Sequence, residues 1–165
     1  MVSGPSSWEA LKPSVADQYV ITIGEEVRKH GLDSLYWVSG TYTQEMASAI
    51  HGILAEVMWE KSRHSSDDSF CILMRPEETH LVELFASYPG CIVGSMAEFS
   101  TGSFLVVNKS AVLDVTRVTL EGGAPKFDND ITVVSLYVSL FNMLKKRSTI
   151  IAGPKLGRPG MAARP

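Results

Sequence analysis

Residues 70–98 read FCILMRPEETHLVELFASYPGCIVGSMAE, and this stretch decides the fold. Phe70 to Met74 is an unbroken apolar run of strand length. Pro76 follows with Glu77 and Glu78. A proline at the first helical position gives up an N–H that no helix bond would use, and acids suit the positive end of the dipole. Leu81, Leu84, Phe85 and Tyr88 then recur at helical spacing, and Pro89-Gly90 ends the run before Cys91 opens a second apolar segment. The order predicts strand 70–75, helix 76–88 and strand 91–98. That is a β-α-β unit whose crossover is about the shortest that can join two parallel strands.

Upstream, Met46, Ile50, Ile53, Leu54 and Val57 trace one apolar stripe, with Glu45, Ser48, Glu56 and Glu60 off it, which predicts a helix over 44–62. Before it, Ser14 and Asp17 form a capping pattern. Ala16, Val20, Ile23 and Val27 keep helical spacing to Gly31, so 15–30 reads as a helix. Leu35 to Ser39 is a short strand closed by Gly40, and 63–69 is a wholly polar loop. Downstream, Cys91–Phe99, Ser103–Lys109 and Val112–Leu120 are three strand-like runs joined by turns short enough to imply antiparallel pairing. The last element runs over 130–147, capped by Asp128 or Asp130, with Val133, Val134, Tyr137, Leu140, Phe141 and Leu144 at helical spacing. Its other side carries Val138 and Met143, so the helix is apolar on most sides, as in a helix central to a core or covered by a partner. The class expected is α+β (or α/β): one domain, a mixed sheet of four to five strands, and about four covering helices. Residues 1–14 read as an irregular arm, 15–147 as the globular domain, and 148–165 as a basic tail containing proline and glycine.

The chain has 165 residues, 45% hydrophobic and 20% charged, which suits one globular domain and excludes a disordered or fibrous chain. The longest uncharged apolar run, Ile131 to Leu144, falls short of the ~18–20 residues that cross a bilayer. The first residues, MVSGPSSWE, lack the basic and apolar regions of a secretory signal, so the expectation is a protein that is not secreted. Cys71 and Cys91 both sit in apolar runs. They read as reduced, buried thiols of a cytoplasmic or other reducing compartment. The net charge of −3 hides an uneven layout. Of the fifteen basic residues, six (Lys145, Lys146, Arg147, Lys155, Arg158, Arg164) lie after residue 144 with no acid among them, which leaves nine against all eighteen acids in the body.

No catalytic, cofactor or metal site is expected. A nucleophilic cysteine needs a base within reach, and His80 lies about two turns before the end of the helix preceding Cys91. The four histidines are scattered, and neither C-x-x-C nor H-x-x-x-H occurs, although His64 lies near Asp67 and Asp68. Phosphate-cradling glycine motifs are missing, and the acid pairs Glu25-Glu26 and Glu77-Glu78 diverge on a helix. Ser65, Ser66 and Ser69, beside acids, could accept phosphate, but such polar loops are commonly unmodified.

The tail is a cationic strand that suits an acidic protein surface or nucleic-acid phosphates. Pro154-Lys-Leu-Gly-Arg-Pro-Gly160 is similar to the core of an AT-hook, a minor-groove-binding motif, with Leu156 where that core has its first arginine. The acidic body repels phosphates, which favours protein. The function expected is a non-catalytic structural or assembly subunit, in a homo-oligomer or a mixed complex. Its partner contacts would come from the final helix and tail: Val138, Phe141, Lys145, Lys146, Arg147, Lys155, Arg158 and Arg164. The alternative is a nucleic-acid- or ribonucleoprotein-associated protein anchored by the tail. A cysteine-dependent hydrolase or transferase is a third class.

Overall fold

The structure is a computed structural model that describes residues 14–39, 44–62, 69–76, 79–88, 90–96 and 102–153. Its elements follow in the order α1 (Val15–His30), β1 (Leu35–Val38), α2 (Gln44–Ser62), β2 (Phe70–Met74), α3 (Thr79–Ala86), β3 (Cys91–Ser95), β4 (Phe104–Val107), β5 (Ala111–Asp114), α4 (Val115–Glu121), α5 (Ile131–Arg147) and β6 (Thr149–Ala152). The α+β class holds, with a six-stranded mixed sheet in the order β5-β4-β1-β2-β3-β6, larger than the four or five strands expected.

The centre of the sheet is the β-α-β pattern repeated. β1 pairs parallel to β2, and β2 parallel to β3, with Leu35 beside Phe70 and Phe70 beside Cys91. These strands are apolar without alternation because both faces are covered. On one face, Leu35, Trp37, Phe70, Ile72, Met74, Cys91 and Val93 meet Tyr19 and Ile23 of α1, Ile50, Leu54 and Met58 of α2, and Phe85 of α3. On the other, Tyr36, Val38, Cys71, Leu73, Phe104 and Val106 meet Val134, Phe141 and Leu144 of α5. Among the described residues, α1, α2 and α3, joined by Val115 and Val118 of α4, cover one face and α5 covers the other.

Three sequence readings are corrected. First, the run read as one strand over 112–120 splits at Asp114. The Asp114 carboxylate accepts the N–H of Arg117 at 2.8 Å and caps α4, and Gly122, left-handed at φ 74, closes it. A capped turn of helix overrides the β-branched sequence Val-Thr-Arg-Val-Thr-Leu. Second, β4 does not sit beside β3. It crosses two strands and pairs antiparallel with β1, Val38 opposite Phe104, and only β4 and β5 form the expected hairpin. Third, residues 148–152 are not tail. Thr149–Ala152 returns beside β3 as an antiparallel edge strand, fitted by Gly94, where an added Cβ would lie 2.7 Å from Leu73 and 2.8 Å from Ser148 Oγ.

The β4–β5 turn holds two residues at positive φ, Asn108 (55°) and Lys109 (54°). Asn108 tolerates this conformation and uses its amide as a clamp. Oδ1 accepts from Asp33 N at 2.7 Å and Ser34 N at 3.1 Å, while Nδ2 donates to Gly31 O at 2.9 Å. The hairpin is thereby pinned to the α1–β1 connection. Residues 1–13 of the arm proposed for 1–14, most of the polar loop and residues 154–165 lie outside the described residues.

Candidate docking face on the last helix

Helix α5 begins where Asp130 accepts the N–H groups of Thr132 (2.9 Å) and Val133 (3.3 Å). It ends at Lys145, Lys146 and Arg147, whose positive charge suits the dipole there. Ser148 closes it by donating its hydroxyl to the Lys145 carbonyl at 2.7 Å.

The inner side is fixed by aromatic packing. Phe141 is fully buried and stacks on Tyr36 at 4.8 Å and 8°, and the Lys109 ammonium sits 5.7 Å from the Tyr36 ring centroid. Tyr137 meets Phe104 edge-on at 5.0 Å and donates its hydroxyl to Asp114 Oδ2. Burial, reinforced by that carboxylate, pushes the Tyr137 phenol up to about 12.

With Val134, Phe141 and Leu144 turned inward, the opposite meridian is fixed by the ~100° advance per residue. It runs through Thr132, Ser139 and Lys146, all exposed. Leu136 (65% exposed) and Met143 (45%) lie on one flank, and Ser135 and Asn142 on the other, with Ile131 (81%) at the rim of the first turn. Large apolar side chains on the outer side of a helix already anchored to its own core make this face a candidate contact surface.

The contact residues expected from sequence fall differently. Phe141 is spent on the chain's own core, and Val138 is half-buried against the same cluster. Lys145 is half-buried, Lys146 and Arg147 are exposed, and Lys155, Arg158 and Arg164 lie outside the described residues. Ile131, Leu136 and Ser139 were not singled out by the sequence reading. The wheel carried a signal for two of them, with Ser139 directly across from residues 134, 141 and 144 and Leu136 on its flank, whereas Ile131 lies nearer the rim.

Among the described residues, the other candidates do not come together in one site. Cys71 and Cys91 are buried thiols outside any disulfide, and the Cys91 sulfur lies 3.7 Å from the Ile92 carbonyl oxygen. Ser39 Oγ lies 3.2 Å from His51 Nε2, but both are enclosed, with the imidazole 4.4 Å from the Trp37 ring and 5.8 Å from Phe85. Among the described residues, no three His, Cys, Asp or Glu side chains gather to hold a metal, and no helix is long and apolar enough to cross a membrane. The loop holding His64, Ser65 and Ser66, and the side chain of His80, lie outside the described residues.

Fold and face together define a mixed α/β body in which, among the described residues, α5 alone covers one side of the sheet and exposes Leu136 and Met143 beside a polar outer meridian. The sequence matches no family model and no curated protein. The fold is similar to that of TrmBL2, an archaeal chromatin protein whose structure shows a novel mode of DNA binding. The TM-score is 0.56 at 10% identity, over 85% of this chain and 53% of that one. At that identity the likeness is one of fold, and this chain spans about half the length of the TrmBL2 chain.

Proposed function

We propose that this chain is a non-catalytic assembly subunit whose α/β body presents the outer face of α5 to another protein chain. One observation carries the reading: Leu136 and Met143 are exposed on a helix whose opposite side is packed into its own core, with Ile131 exposed at the rim. The basic end of the helix, Lys146 and Arg147, borders this face and suits an acidic partner surface. A photo-reactive amino acid at position 136, installed in the full chain in producing cells, tests it. The expected result is a discrete protein adduct from position 136 and none from exposed position 121 on α4. Equal, diffuse labelling from both positions, or no adduct at 136, would count against docking.

A second reading has its own support. The three basic residues closing α5 continue in sequence into Lys155, Arg158 and Arg164, and TrmBL2, which shares the fold, binds DNA. Six phosphate contacts would make binding fall about a thousandfold between 50 and 200 mM salt. A nuclease-sensitive adduct at position 136, together with that salt dependence, would favour nucleic acid over protein.

A further inference from the structure

Resting on the docking reading, we infer that the partner on α5 is a second copy of this chain, packed antiparallel across a two-fold axis at Ser139. Two features of the helix, its end charges and its flanks, are self-complementary in that arrangement and in no parallel one, and a third, the size of Ser139, allows the close approach.

The first is charge. Asp128 and Asp130 stand at the N-terminal end, and Lys145, Lys146 and Arg147 at the C-terminal end. Parallel copies bring lysine to lysine and aspartate to aspartate, while antiparallel copies bring each basic end to an acidic one. The second is the flanking side chains. A two-fold axis perpendicular to the helices places residues equally spaced about position 139 opposite each other on the same flank. Leu136, about 4.5 Å below Ser139 along the axis, then meets Met143 of the second copy, about 6 Å above it. By the same operation Ser135 meets Asn142, so apolar meets apolar and polar meets polar. The third is size. Ser139, exposed at the middle of the outer meridian, has a side chain small enough for two helix axes to approach to about 8 Å.

Helix α5 is about 25 Å long, and its outer face alone supplies well under the roughly 800 Å² per partner that a permanent dimer buries. The association is therefore weak and concentration-dependent, a property the test must accommodate.

Single cysteines introduced into the full chain read the geometry directly, since Cys71 and Cys91 are buried and do not compete. On mild oxidation at about 100 μM, Ser139→Cys gives a disulfide-linked species of twice the 18.0 kDa chain mass. Thr132→Cys alone gives none, because antiparallel packing separates the two copies of position 132 by about 21 Å. Thr132→Cys mixed with Lys146→Cys does cross-link. The double variant Lys146→Glu/Arg147→Glu weakens self-association at least tenfold while circular dichroism shows the same fold. Ready cross-linking of Thr132→Cys with itself would overturn the antiparallel arrangement. Failure of Ser139→Cys to cross-link, with a mass of 18.0 kDa at all concentrations, would overturn the second copy as partner. A position-136 adduct to a different protein would then leave docking standing while this inference fails.

Discussion

Replacing Asn108 tests how the hairpin is held to the body of the fold. Its amide makes three hydrogen bonds to the α1–β1 connection at 2.7 to 3.1 Å, and its backbone sits at φ 55. A neutral hydrogen bond contributes about 1 kcal/mol net, and the half-buried position lets water recover part of it, so the clamp is worth about 2 kcal/mol. Alanine must also hold a left-handed backbone, which adds about 1 kcal/mol. Asn108→Ala is therefore destabilised by about 3 kcal/mol. Asn108→Gly, which accepts the backbone without strain, loses about 2 kcal/mol, and Asn108→Asp, which keeps both accepted bonds and loses the donated one, about 1 kcal/mol. Urea unfolding at 25 °C, followed by the fluorescence of buried Trp37, reads these as midpoint shifts at constant slope. A stability for Asn108→Ala within about 0.5 kcal/mol of the native chain would refute the clamp. A glycine variant weaker than the alanine variant would refute the backbone argument.

Three further outcomes follow from α5 and its surroundings. Phe141→Ala, which empties a fully buried site stacked on Tyr36, costs about 3–5 kcal/mol in the same urea assay, whereas Leu136→Ala on the outer side changes stability by less than about 0.5 kcal/mol. Tyr137 ionises near 12 when folded against about 10 when unfolded, so its contribution is complete below pH 10 and is lost as pH rises from about 10 to 12. Discounted for the solvent that reaches the ring, this is about 1 kcal/mol, and Tyr137→Phe removes that part of the alkaline slope. Gly94→Ala forces Leu73 and Ser148 aside and loosens β6, costing about 1–2 kcal/mol and speeding hydrogen exchange in Thr149–Ala152.

The central architecture was legible because local signals agreed with one another. Ser14 and Gly31 bound α1, the apolar stripe of 44–62 became α2, and the β-α-β reading of 70–98 became β2, α3 and β3. Two of the misreadings turned on information that is not local, and the third on a short cap set against strand-forming residues. Val115–Glu121 has strand-forming residues, and its helix depends on a cap at Asp114 that Tyr137, on another element, also engages. β4 lies beside β1 because the chain passes over two strands, which no turn length encodes. β6 has four residues between a basic cluster and a proline-containing segment, too little pattern to separate from tail.

The candidate docking face was half legible for a related reason. Apolar residues on most sides of 130–147 raised the expectation of a partner without saying which side met the sheet. The seating of Phe141 on Tyr36 decides that, and it turns Leu136, Ser139 and Met143 outward.

Sedimentation equilibrium of the full chain between about 5 and 500 μM, beside Leu136→Asp, tests the interface most directly. The account predicts a weight-average mass rising from 18.0 kDa toward twice that value for the native chain, and a flat 18.0 kDa for the equally stable variant. A native chain that stays at 18.0 kDa throughout, or a variant that associates as strongly, would contradict it.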